Sequence, residues 1–295
     1  MFFGAKRELS DISAADVTRW AEALLSTPPT GRRRGAMSGG TVRHHLNALS
    51  NLYRRAQAEG YVVTGYNPVN AMLEKPTASR VEAQWLEVPD AALLLEAARL
   101  HDPTFAYPLI ATFVLTGGRE SDVLGLEVRD VSTDRKIITF RPNRWRRLKT
   151  ATSFRNVPLW PQLAEILGVY LVQRPPARLL FPSYRTGDEA MVTDWRKLLD
   201  RIASRGGWKP GEIRSKMFRH TYTAARLQTL DQGAPVSVFT VAKELGHGGE
   251  AMVRRVYGHL GTVRHRSKVV EFRVRQHRKV LGNRLKGLVS TVPQR

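Results

Sequence analysis

The chain has 295 residues and carries 47 lysines and arginines against 26 aspartates and glutamates, a formal charge of +21. That balance points to a polyanion, with DNA or RNA the ordinary choice, while 42% hydrophobic residues supply cores for two ordinary domains and exclude a disordered basic tail. The absence of cysteine excludes disulfides, zinc fingers and thiol catalysis together, and no stretch approaches the ~20 apolar residues of a membrane span. The start, Met1-Phe2-Phe3-Gly4-Ala5-Lys6-Arg7, is too short in apolar length for a signal peptide, so a cytoplasmic, nucleoid-associated protein is expected.

In chain order, Val17, Trp20, Ala21, Leu24 and Leu25 fall on one face of a helix over residues 16–25, with Asp11, Ser13 or Asp16 available to cap it. Residues 26–40, with Pro28-Pro29, Arg32-Arg33-Arg34 and Gly39-Gly40, read as a loop. A stronger helix follows. Val42, Leu46, Leu49, Tyr53 and Ala56 form its buried stripe, and Arg43, His44, Arg54 and Arg55 lie mostly off it, free to meet phosphate. Asn67-Pro68 helps end this module, and the stretch from Pro76 to Glu87 reads as a linker into a helix begun near Pro89-Asp90.

Residues 91–100 and 105–115 are helical and largely buried in pattern. Ile137 to Phe140 and Phe154 to Leu159 read as short strands flanking a basic turn, Arg144 to Lys149, and helices return over 192–204, 221–230 and 236–245. Arg119 and Arg219 each follow a turn and open a helical pattern, which would set a forked guanidinium beside backbone amides, a favourable geometry for phosphate. Tyr222, one turn after Arg219 on an apolar pattern, reads as core. His220 reads as packing or hydrogen bonding rather than as a catalytic group.

Four segments in this order carry a resemblance: Thr116-Gly117-Gly118-Arg119 with Asp122 three residues on; Lys149 through Leu159; Lys216-Met217-Phe218-Arg219-His220; and Leu245-Gly246-His247 with Tyr257 ten residues later. Over roughly residues 10 to 262 the chain resembles the tyrosine recombinases, the family of phage integrases and chromosome-dimer resolvases. The resemblance implies a mainly α fold with a small antiparallel β-sheet. It would comprise a helical core-type DNA-binding domain over 1–76, abbreviated at its start, a linker over 77–87, and a tyrosine-recombinase catalytic domain over 88–262. The basic tail over 263–295 would be a candidate protomer-exchange segment.

It also implies roles. Arg119 and Arg219 would clamp the nonbridging oxygens of a scissile phosphate, Asp122 would buttress them, and His247 would hydrogen-bond the same phosphate. Lys149 would protonate the departing 5′ oxygen, which a lysine whose pKa is lowered by its surroundings can do and a guanidinium cannot. Lys216 stands where most relatives have histidine, and its ammonium suits electrostatic support first and proton transfer second. Tyr257 would be the nucleophile, conserving the phosphodiester energy in a 3′-phosphotyrosine so that no metal, nucleotide or other cofactor is needed. The expected partners are double-stranded DNA, further copies of the chain (a dimer on each core site, a tetramer in the synapse) and an accessory DNA-bending or directionality protein. Two other readings stay open: a type IB topoisomerase-like enzyme, and a catalytically silent DNA-binding regulator on the same scaffold.

Overall fold

The computed structural model describes residues 2–4, 6–26, 36–77, 82–148, 150–183, 189–231 and 234–258. Lys149 and the tail over 263–295 lie outside the described residues. The chain divides into two compact units, Met1–Glu82 and Ala83–Arg295. No helix among the described residues is long and apolar enough to cross a membrane.

The first unit is built on α1 (Ala14–Ser26) and α2 (Gly39–Ala58). Ser38 caps α2 by accepting from the Thr41 amide, which satisfies one of the amides a helix start leaves open. Val42, Leu46, Tyr53 and Ala56 of α2 pack with Val17 and Ala21 of α1 and with Ile12, Val62, Val69 and Met72. The opposite face of α2 exposes Arg43, His44, Asn47, Asn51 and Arg54. Asp16, expected only as a cap, binds the Ser13 amide and hydroxyl and the guanidiniums of Arg19 and Arg7, and these hold its carboxyl well below the usual range.

The second unit is helical: α3 (Val88–His101), α4 (Ala106–Thr116), α5 (Glu120–Leu124), α6 (Pro161–Gln173), α7 (Trp195–Arg205), α8 (Ser215–Gln228), α9 (Val238–Leu245) and α10 (Ala251–Tyr257). An antiparallel three-stranded sheet, β1 (Val131–Ser132), β2 (Ile137–Phe140) and β3 (Arg155–Pro158), lies between α5 and α6 in the chain, with Ile138 opposite Val157 and Phe140 opposite Arg155. Two further two-stranded ladders pair Pro182–Ser183 with Ala190–Met191 and Leu230–Asp231 with Ala234–Pro235. Nine of the eleven residues of α4 are buried, so this apolar helix is the axis on which α3, α6 and α8 pack.

Three expectations change. Residues 83–87, read as linker, are built into the second unit: Leu86 is buried and its amide donates to the Thr221 hydroxyl at 2.9 Å. Residues 161–173, to which the sequence reading assigns no element, form α6. The helix expected from 221 begins at Ser215, so Arg219 sits in its second turn rather than at its opening.

Candidate active site

Two helices deliver site residues by the same device. The buried α4 ends at Gly117, whose φ of 59° is a left-handed conformation; a Cβ there would also meet the Tyr222 side chain at 2.8 Å. The chain then turns through Gly118 and places Arg119 as the N-cap residue of α5. Likewise α9 ends at Gly246, with φ 67° and close against Arg155 and Ser153, and the next residue is His247. Rigid packing behind two glycine turns thus fixes where the arginine and the imidazole emerge.

Arg219 comes from α8. Its guanidinium is aimed by carbonyls, not by helix-start amides as the sequence suggested: Nη1 donates to Gly117 O at 3.2 Å and Nη2 to Leu245 O at 2.5 Å, the ends of the same two helices. Nη2 also lies 2.9 Å from His247 Nε2. As the guanidinium can only donate, Nε2 accepts and the imidazole proton sits on Nδ1. That Nδ1 is buried and has no partner among the described residues. Burial, then the charges of Arg219, Arg119 and Arg155, hold His247 down at about 4, so the ring is neutral at ordinary pH.

Arg119 Nη1 reaches Ser153 Oγ at 3.4 Å and Asp122 Oδ2 at 3.6 Å. Asp122 is shared with a third arginine that the sequence reading did not single out. Arg155 on β3, its side chain 3% exposed, donates to Asp122 Oδ2 at 3.0 Å, to Glu244 O at 2.8 Å and to Ser153 O at 2.9 Å, over the Phe140 ring. Alternation along β3 is the only sequence signal for its burial, and a charged residue at such a position reads as exposed. A second unforeseen guanidinium, Arg146 of the expected basic turn, is also buried, donating to the carbonyls of Arg141 and Asp122 and lying near Asp130.

Three guanidiniums thus face one carboxylate. Desolvation, with the charges of Arg119 and Arg155, pulls Arg219 down to about 9 from its ordinary 12.5. An unneutralised positive centre of this kind is stabilised by an anion. Arg119, Thr150, Thr152, His247 and Arg255 line an open cleft of about 570 Å³ above it.

Tyr257 is the last residue of α10 and is 4% exposed. It packs beside Trp85, ring centroids 6.2 Å apart, and its hydroxyl hydrogen-bonds His220 Nδ1, a partner the sequence reading left outside the chemistry. Burial raises the phenol to about 12, opposed by the Thr223 hydroxyl and by Arg219. Lys216 is exposed in the first turn of α8 and acts through its charge on His220. Tyr222 is core: its hydroxyl donates to Glu244 at 2.8 Å, and Glu244 takes Arg226 at 2.7 and 2.9 Å, tying α8 to α9 beneath His247. The structure therefore gathers Arg119, Asp122, Arg219 and His247 into one cluster, of which Arg119 and His247 reach the cleft, sets Tyr257 beside His220 near Arg219, and leaves Lys216 exposed.

A guanidinium and a neutral imidazole at one opening, with Arg219 bonded to the imidazole and Arg155 buried behind, define a site suited to a phosphate-like anion. Residues 84–263 match the model of the phage integrase family, and the chain belongs to that family. The chain is 27% identical over 255 residues, 81% of its length and 76% of the relative's, to tyrosine recombinase XerD of Mycobacterium tuberculosis, and 27% identical over 265 residues to XerD of Mycobacterium leprae. Among solved structures it resembles the Tn1549 transposon integrase in complex with a circular intermediate DNA (TM-score 0.63, 16% identity, 84% of this chain and 82% of that one). It also resembles a lambda integrase dimer bound to a COC′ core site (TM-score 0.60, 16% identity, 88% and 67%). These likenesses show the tyrosine-recombinase fold, mainly α with small antiparallel sheets, and family and fold together make this a site-specific recombinase of the kind that cleaves and rejoins DNA.

Proposed function

We propose that the protein recombines DNA at specific sites through a 3′-phosphotyrosine at Tyr257, and so integrates, excises or resolves a DNA element. The observation that carries this reading is the cluster in which Arg119 and His247 line one cleft and Arg219 bonds His247 directly behind it, with the charge of Arg119, Arg155 and Arg219 set against the Asp122 carboxylate. A scissile phosphate there would place its nonbridging oxygens on Arg119 and Arg219, with the imidazole of His247 beside them. Asp122 holds Arg119 and Arg155 in place and takes no part in the reaction.

Attack by the Tyr257 oxygen on phosphorus would break the bond to the 5′ oxygen, which leaves as a hydroxyl after taking a proton from Lys149. Lys216 would add positive charge at the edge of the site. The phosphodiester energy stays in the phosphotyrosine, so rejoining to another strand's 5′ hydroxyl requires neither metal nor nucleotide. The exposed Arg43, His44 and Arg54 of α2 offer a second basic surface for duplex, and the net charge predicts binding that weakens steeply with salt. A dimer on each core site and a tetramer in the synapse are the assembly this reading requires, with direction set by the sites or by an accessory DNA-bending protein.

The test is to incubate wild type and Tyr257→Phe with nicked DNA carrying the junctions that flank the protein's own gene, followed by denaturing electrophoresis. A covalent adduct in wild type alone supports the proposal, and a paired-site assay then separates recombination from the single-duplex relaxation of a topoisomerase. Equal binding with no adduct in either protein would replace it with the silent DNA-binding reading.

A further inference from the structure

The Tyr257 hydroxyl has a base in contact with it. His220 Nδ1 hydrogen-bonds that hydroxyl, with ring centroids 5.7 Å apart. The geometry of α8 accounts for the meeting: Lys216, Arg219, His220 and Thr223 lie three and four residues apart, on one face. The helix that sets Arg219 against His247 therefore carries an imidazole to the tyrosine 37 residues further along the chain. Trp85 covers the tyrosine ring from another side, and at 4% exposure Tyr257 offers bulk water little access.

We propose that His220 accepts the phenolic proton of Tyr257 as its oxygen attacks phosphorus, a role that rests on the recombinase reading above and assigns that reaction its base. The groups facing the imidazole are Lys216 and Arg219 from its own helix and Tyr257 from α10. Burial first, then the two cations, hold His220 down at about 4, so the ring is neutral, and the tautomer protonated at Nε2 presents the Nδ1 lone pair that the transfer requires to the phenol. The phenol, pushed up to about 12, is not ionised in advance, so its proton must leave during the attack. In that step the Oη–H bond breaks and the proton passes to Nδ1, the Oη–P bond forms, and the P–O5′ bond breaks with the 5′ oxygen taking its proton from Lys149. Rejoining reverses the transfer, and the imidazolium returns its proton to the departing tyrosine oxygen. A bound phosphate offsets the charge of Arg219 and so raises the basicity of His220 when the proton has to move.

Single-turnover cleavage of a 5′-bridging phosphorothiolate substrate isolates this step, because the sulfur leaves without a proton and only the phenolic one remains to be moved. Wild type, His220→Phe and His220→Gln are compared, each with tyrosine or a more acidic fluorinated tyrosine at position 257, across a range of pH. Loss of a general base slows cleavage by about 10²–10⁴-fold. Both variants are expected to show that loss while binding the DNA as wild type does, since glutamine can accept the hydrogen bond but cannot take the proton. The fluorinated phenol or higher pH should restore at least about tenfold in the variants and little in wild type. Either folded variant cleaving within about threefold of wild type, or a loss that neither acidic phenol nor pH relieves, would overturn the role and return His220 to packing. If His220→Phe does not fold, the glutamine variant decides. Should wild type itself form no adduct, the recombinase reading fails and takes this role with it.

Discussion

Replacing Asp122 with alanine removes the carboxylate that Arg119 and Arg155 share, and the cost falls on Arg155. Its side chain is 3% exposed, 3.0 Å from Asp122 Oδ2 and 4.2 Å over the Phe140 ring, so no water shell can replace the lost partner. The bonds to Glu244 O and Ser153 O remain; what disappears is charge compensation. Breaking a buried pair by removing one member costs about 3–5 kcal/mol, whereas an exposed pair is worth about 0–1 kcal/mol, and Arg119, 29% exposed and 3.6 Å away, belongs nearer the second case. That loss is a factor of roughly 10²–10⁴ in the folding equilibrium and a fall of roughly 6–20 °C in Tm. Chemical denaturation followed by circular dichroism measures it. The double variant Asp122→Ala/Arg155→Met removes the stranded charge as well and should be more stable than Asp122→Ala alone. A loss below about 1 kcal/mol, or a double variant no better than the single, would refute the argument that Asp122 neutralises a buried cation.

Three other outcomes follow from the geometry. Tyr222→Phe removes a donor to Glu244 and should cost about 1.5–3 kcal/mol in denaturant titrations, yet leave the covalent adduct intact, because Glu244 keeps both bonds from Arg226. Gly117→Ala puts a side chain at φ 59° against Tyr222 and displaces both the carbonyl that holds Arg219 and the turn that carries Arg119. Backbone strain of about 1–2 kcal/mol should appear in unfolding, and about a 10²-fold loss in cleavage kinetics. Finally, His220 and His247 titrate at about 4 when folded and near 6.5 when unfolded, so between those values the unfolded chain binds more protons. Stability should therefore fall as pH drops from about 6.5 towards 4, and denaturation midpoints across that range should flatten when both histidines become glutamine.

What the sequence made legible was local. Of the α2 stripe Val42, Leu46, Leu49, Tyr53 and Ala56, all but the half-buried Leu49 are buried, because burial at steps of three and four leaves a direct trace. Thr116-Gly117-Gly118-Arg119 marks a helix end and a helix start, and both are there. Leu163, Leu167 and Tyr170 behind Pro161 carry an equally clear helical signal for α6, which the reading passed over. Long-range geometry was not legible. Nothing near Arg155 in the chain indicates that Asp122, 33 residues away, and the Glu244 carbonyl, 89 away, would draw it inside. Nothing near His220 indicates that α10 would bring Tyr257 to it. Ser215 to Met217 lack an apolar stripe, so the sequence pattern shows α8 only from 221 and makes Arg219 a helix-opening residue, whereas the helix begins at Ser215 and carbonyls aim the arginine.

The central claim is that one tyrosine carries the DNA strand. Trapping the adduct on a nicked junction substrate, digesting it with trypsin and sequencing the nucleotide-linked peptide by mass spectrometry tests this most directly. The account predicts that the peptide from Val256 onward bears a 3′-linked nucleotide on Tyr257, and that the species is lost in Tyr257→Phe. A nucleotide on Tyr222 or on any other residue, or an adduct that survives Tyr257→Phe, would contradict it.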